Sequence, residues 1–198
     1  MKTNIFFFFI ILFAIAGCED DSSRAGDNYF KRGEYQKAVD AYSEYLALKP
    51  NNVKALYNRG RAYEELAMYD KAVEDFNKVL ENENTNIQAQ LSIAKDMYRR
   101  KAYDDAIYKC DLVLEKNPNN AQAFLLQGQS YQKLGKIKEA MHSYNTSISM
   151  NTDFGEAYLY RGILRIYLKQ RAPACNDFKI AKSLKVAAAS KALEDYCK

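Results

Sequence analysis

The sequence predicts an all-α fold, a solenoid of five helix–turn–helix units closed by a short capping helix and preceded by a separate leader. Three recurrences carry that prediction. Ala38, Ala72, Ala106, Ala140 and Ala174 stand 34 residues apart without an insertion. Twelve residues ahead of each lies a small residue: Gly26, Gly60, Ala94, Gly128 and Gly162. Four residues after each comes Tyr42, Phe76, Cys110, Tyr144 or Phe178. A fixed period of this length marks a stack of supersecondary units, none of which buries its apolar side alone.

The leader comes first. Lys2 is the only charge before the apolar run Ile5 to Ile15, which Ala16-Gly17-Cys18 follows. A positive start, a short apolar stretch and small residues at its end define a secretory signal peptide over residues 1–17. Its eleven apolar residues fall short of the roughly 17–25 that span a bilayer. Ile15-Ala16-Gly17-Cys18 resembles the lipobox of bacterial lipoproteins. That resemblance implies cleavage before Cys18, a diacylglycerol on its sulfur and a palmitate-type acyl chain on its new amino group. The thiolate is the nucleophile that accepts the lipid. The expected place is the bacterial cell envelope, anchored by lipid. Glu19-Asp20-Asp21 behind the cysteine reads equally as a surface-export signal and as acids at a helix start, so the membrane and the face stay open.

The units follow at 19–52, 53–86, 87–120, 121–154 and 155–188, with the cap at 189–198. Pro50-Asn51-Asn52, Asn84-Thr85-Asn86 and Asn117-Pro118-Asn119-Asn120 supply stop and start signals between units. Asp70 and Asp104 are placed to cap second helices. Pro173 falls in the first turn of its helix, where a missing N–H does little harm. Within a unit, the small residue on the first helix lets the second helix approach closely, while Tyr or Phe fills the neighbouring hole. In unit three, Cys110 replaces that aromatic as an inert, buried small hydrophobe. The cap carries Ala192, Leu193 and Tyr196 on one face, with Lys191, Glu194 and Asp195 outside. Cys175 lies on the last second helix and Cys197 on the cap beside it, so a Cys175–Cys197 disulfide is expected in an exported chain.

The 34-residue period and these residue types resemble the tetratricopeptide repeat over the whole mature chain. The resemblance implies a right-handed α-α superhelix whose first helices line an inner groove that binds proteins or peptides. In this register the groove carries Tyr57, Asn58 and Arg61 in unit two, and Leu91, Lys95 and Tyr98 in unit three. Unit four adds Leu125, Gln129 and Lys133; unit five adds Leu159, Tyr160, Ile163 and Ile166. Leu159, Ile163 and Ile166 form an apolar stripe, expected to take a ligand unless the cap or a second copy covers it. One sub-family clamps a terminal carboxylate through Lys, Arg and Asn of successive first helices. Set on units one to three, that clamp meets Ser23, Asp27, Asn58, Gln88 and Ser92. Set on units two to four, it meets Tyr57, Arg61, Ser92, Gln122 and Leu126. Neither set provides the cations.

Composition narrows the function. The chain has 29 basic and 25 acidic residues, a near balance that gives no nucleic-acid footprint. Arg99-Arg100-Lys101 reads as cations at a helix C-terminus. His142 is the only histidine, and no CxxC or phosphate-cradling glycine loop occurs. The expectation is therefore a non-enzymatic protein with no cofactor and no metal. Its leading role is a membrane-anchored scaffold or adaptor for an envelope protein or peptide, with homodimerisation through the C-terminal groove left open. The alternative is a regulatory subunit that presents or activates an envelope enzyme such as a cell-wall hydrolase.

Overall fold

A computed structural model describes residues 21–198. The leader and Cys18 lie outside the described residues. Among those, eleven helices follow one another without a strand: α1 (Asp21–Lys31), α2 (Tyr35–Leu48), α3 (Val53–Glu65), α4 (Tyr69–Asn82), α5 (Ile87–Arg99), α6 (Tyr103–Lys116), α7 (Ala121–Lys133), α8 (Ile137–Met150), α9 (Gly155–Tyr167), α10 (Arg171–Ser183) and α11 (Ala187–Tyr196). Each helix packs on the next, and neighbouring odd-numbered helices also touch, α1 on α3, α5 on α7 and α7 on α9. This is an all-α solenoid of helix pairs.

The small residue and the ring meet within each pair. A Cβ added to Gly26, Gly60, Gly128 or Gly162 would lie 2.5–2.6 Å from a ring carbon of Tyr42, Phe76, Tyr144 or Phe178. No real carbon pair approaches so closely, so glycine sets the spacing of four of the five pairs. In the third pair Ala94 and Cys110 are both 0% exposed. There the alanine methyl occupies room that the missing ring leaves.

Helix starts divide into two kinds. Asn52, Asn86 and Asn120 cap α3, α5 and α7, their Oδ1 atoms accepting from the N–H groups of Ala55, Ala89 and Ala123 at 2.9–3.1 Å. The second helices start without side-chain caps, after Glu34, Met68, Ala102, Lys136 and Gln170. Asp70 and Asp104 are thus not caps, as expected from sequence, but first-turn residues of α4 and α6. The residue before each cap position is left-handed, at Gly33, Ala67, Lys101, Gly135 and Lys169. That tight turn leaves the aspartates one step inside the helix, where they still favour the positive end of its dipole.

The cap starts at Ala187, two residues before the expected 189. Lys185 adopts φ 62°, so α10 joins α11 through the short turn otherwise used inside a unit. Ala189 and Ala192 then pack on Ala174, Phe178 and Ala181, with Leu193 beside them. At the other end, Asn28 of α1 and Arg32 just after it hold the register of Ala62 in α3 and Leu66 just after that helix. The first unit therefore ends the stack with polar groups, which suits a solenoid terminus.

Buried ion pairs tie units together. The Arg59 guanidinium donates to both Asp75 oxygens (2.7 and 2.8 Å) and to Ser43 Oγ of the preceding unit (3.1 Å). Arg161 repeats the arrangement with Asp177 (3.0 and 2.7 Å) and Asn145 (2.8 Å). Arg165 adds a third bond to Asp177 at 2.7 Å. The carboxylates are almost wholly buried, and their several donors make that burial tolerable.

Candidate functional site

The inward sides of the odd-numbered helices form two basins. The first lies between α1 and α3, a cavity of about 250 Å³ lined by Asp27, Phe30, Lys31, Tyr42, Asn58 and Arg61. Asp27 accepts from Tyr42 Oη (2.6 Å), Asn58 Nδ2 (2.9 Å) and Lys54 Nζ (3.0 Å). Burial pushes its carboxyl up, but these donors outweigh burial and hold it below the usual carboxylate range. Asp27 is thereby a fastener between units one and two. Burial first and Asp27 second push the Tyr42 phenol well above its ordinary value.

The second basin lies among α5, α7 and α9, with a volume of about 400 Å³. Leu125 and Leu126, each 5% exposed, make its floor. Tyr98 and Tyr160 flank it, and Lys95, Gln122, Gln129 and Glu156 form the rim. The Tyr160 ring stacks on Tyr144 with centroids 6.4 Å apart, and Tyr98 tilts against Tyr103 at 5.4 Å. Burial, with Tyr160 close by, raises the Tyr98 phenol. Fixed rings present apolar faces at little entropic cost. The side-chain amides of Gln122 and Gln129, both on α7, make no hydrogen bond to other described residues, so they are available to a ligand backbone.

Glu64 joins the basins. Its carboxylate lies 3.1 Å from the Arg61 guanidinium. Burial raises the carboxyl, and the nearby charges of Arg61 and then Lys95 only partly oppose that.

The expected groove residues divide accordingly. Asn58 and Arg61 line the first basin; Lys95, Tyr98, Leu125, Gln129 and Tyr160 line the second. Tyr57 packs on Phe76 at 5.6 Å between the two. Lys133 is exposed at the end of α7 and lines neither. Leu91 and Leu159 are corrected to core, 5% and 7% exposed, because the next unit or the cap lies over them. Ile166 packs with Val186 and Leu193 in the cluster under α11, leaving Ile163, 37% exposed, as the open residue of the stripe. The cap, as the alternative expectation held, covers most of that stripe.

The sequence reading omitted Asp27, Phe30 and Lys31 from the groove, and Gln122, Leu126 and Glu156 from the second basin. Asp27 was legible, since it shares a phase with Arg61, Lys95 and Gln129 at 34-residue steps. Glu156 was not, because its reach into the basin depends on how α9 sits beside α7.

Cys175 and Cys197 are bonded, with Cα atoms 5.7 Å apart. Cys110 is a free, buried thiol. Burial, with the Asp111 charge adding, pushes it up to about 12.

Comparison with known proteins places this geometry. Family models for the TPR repeat and the tetratricopeptide repeat match residues 26–66 and 53–86. A model for subunit 3 of the anaphase-promoting complex (cyclosome) matches residues 99–171. No curated protein sequence matches the chain. Among solved structures, a tetratricopeptide repeat protein from Parabacteroides merdae superposes with a TM-score of 0.75 at 24% identity, covering 89% of this chain and 70% of that one. PilW, a type IV pilus biogenesis factor, gives 0.75 at 20% identity over 84% and 77%. MamA from Desulfovibrio magneticus gives 0.69 at 20% identity over 83% and 96%. At these identities the likeness is one of fold. With the helix pairs, the period and the two repeat matches, it shows that the chain carries tetratricopeptide repeats wound into an all-α superhelix.

Proposed function

We propose that this chain is a protein-interaction scaffold, held at an envelope membrane by lipid on Cys18, that binds a segment of another protein in its inner groove. The second basin carries the reading. It combines an apolar floor, two fixed tyrosine rings and two amides without internal partners, which suits an extended or helical peptide. PilW, whose fold is similar, is a pilus biogenesis factor; assembly of an envelope structure is a role of the same class.

The test places a photo-crosslinking residue at Gln129 in the living cell, with Tyr108, 60% exposed on α6, as the control site. A discrete protein adduct from Gln129, lost on Tyr98→Ala/Tyr160→Ala and absent from Tyr108, is the expected result. An adduct from Tyr108 alone would move binding out of the groove. An adduct whose mass is twice that of the chain would identify a second copy as occupant, and an adducted hydrolase would favour the regulatory reading. For the anchor, Cys18→Ser should abolish labelling by a palmitate analogue; labelling that persists would refute it.

A further inference from the structure

The charge of the chain is unevenly placed. Every first helix runs from one edge of the solenoid to the other, so the five turns within units lie along a single edge. Residues 31–37, 65–71, 99–105, 133–139 and 167–173 make up that edge and hold twelve Lys and Arg against six Asp and Glu. The opposite edge, 48–54, 82–88, 116–122, 150–156 and 184–190, holds four against three. The whole chain carries only +4. A weak net charge therefore conceals a basic ridge.

The second, third and fourth turns are linked to one another. Arg100 of the third turn pairs with Asp70 beside the second, and Lys136 of the fourth lies 3.5 Å from Asp104 beside the third. The Arg99 guanidinium also sits 3.5 Å from the centre of the Tyr69 ring. Arg99-Arg100-Lys101, which as an isolated cluster reads only as a helix end, is the middle of this ridge. Lys71, Lys101 and Lys169 are exposed along it.

We propose that this ridge docks an acidic helix presented by a partner protein, separately from the groove. Exposed lysines stand on the second, third and fifth turns, Lys71, Lys101 and Lys169; packed helices lie about 8–10 Å apart, close to the rise of two helical turns, about 11 Å. Carboxylates spaced seven residues apart on one helix face would meet successive turns. Asp70, Asp104 and Glu34 interrupt the cations and would repel a uniformly anionic surface, whereas a patterned helix can avoid them. The anchoring membrane is a poor fit for a second reason, which rests on the proposed lipid at Cys18. The chain enters α1 at Asp21 on the opposite edge, and the eleven residues of α1 carry it about 16 Å before the first ridge turn.

The test uses the purified full chain and two synthetic helical peptides of one composition, one with Glu pairs every seventh residue and one with the same charges scrambled. The first should bind about tenfold more tightly than the second, an affinity that falls as salt shortens the Debye length toward about 8 Å. Lys71→Glu/Lys101→Glu/Lys169→Glu should abolish that preference with circular dichroism unchanged. Lys78→Glu/Lys116→Glu/Lys182→Glu, equal in charge and away from the ridge, should leave it intact. Equal binding of both peptides, or equal loss in both variants, would reduce the effect to net charge and overturn the proposal. So would a larger effect of the ridge variant on binding to phosphatidylglycerol vesicles than on binding to the patterned peptide.

Discussion

Of the five glycine-or-alanine joints, the third is the informative one, because it shows what the glycines are for. Four pairs place a ring against a glycine so tightly that a methyl would fall 2.5–2.6 Å from a ring carbon. The third pair reverses both partners, with Ala94 against Cys110. The spacing is therefore conserved by volume and not by residue type, as close packing requires. Cys110→Phe alone should overpack the Ala94 methyl and cost about 1–3 kcal/mol, and Ala94→Gly alone should open a small void. The double variant Ala94→Gly/Cys110→Phe rebuilds the arrangement of the other four units, so it should recover stability with a coupling of about 0.5–3 kcal/mol. Urea denaturation of the four proteins in the cycle reads that coupling; strict additivity would mean that the two side chains do not share one space. Much of this was legible in the sequence, because small and large residues alternate at a fixed phase. The groove lining was less so: Leu91 and Leu159 read as groove residues until the neighbouring helices are laid over them.

At the level of the element, the turns within units explain where sequence expectation and structure part. All five place one residue in the left-handed region, yet only Gly33 and Gly135 are glycines; Ala67, Lys101 and Lys169 have φ between 56° and 66°. A reading that waits for glycine misses three of the five, and with them the reason that Asp70 and Asp104 lie beyond the cap. Lys185 shows the same effect at the last joint, where a fourth non-glycine left-handed residue moves the start of α11. These residues carry strain of about 1–2 kcal/mol that glycine does not, partly offset by the larger freedom of glycine in the unfolded chain, about 0.4–1 kcal/mol. Ala67→Gly, at an exposed and uncharged turn position, should therefore raise stability by about 0.5–1 kcal/mol, measured as a higher urea midpoint at unchanged slope. A lower midpoint would show that contacts of the Ala67 methyl outweigh its backbone strain.

Across the whole molecule, the two ends of the stack are closed by different means, and the difference sets where the solenoid opens first. The first unit presents Asn28 and Arg32 where later units carry Ala62 and Leu66, whereas the fifth leaves Leu159, Ala174, Phe178 and Ala181 to be buried by the ten residues of α11. So short a helix is marginal by itself. Three contacts hold its far end: the Cys175–Cys197 bond, the Arg171 Nε–H donating to the Tyr196 carbonyl at 2.7 Å, and the Tyr196 ring 6.2 Å from Phe178. The disulfide spans 22 residues, for which the chain-entropy account gives about 3 kcal/mol. Cys197→Ser should therefore lower stability by about that amount, and the loss should be local first. Amide exchange in α11 should become fast and Ile166 newly accessible, while α3 to α8 keep their protection, since units in a solenoid are coupled chiefly to their neighbours. Uniform loss of protection from α1 to α11 would instead show that the stack opens as one cooperative body, with the cap supporting units it never touches.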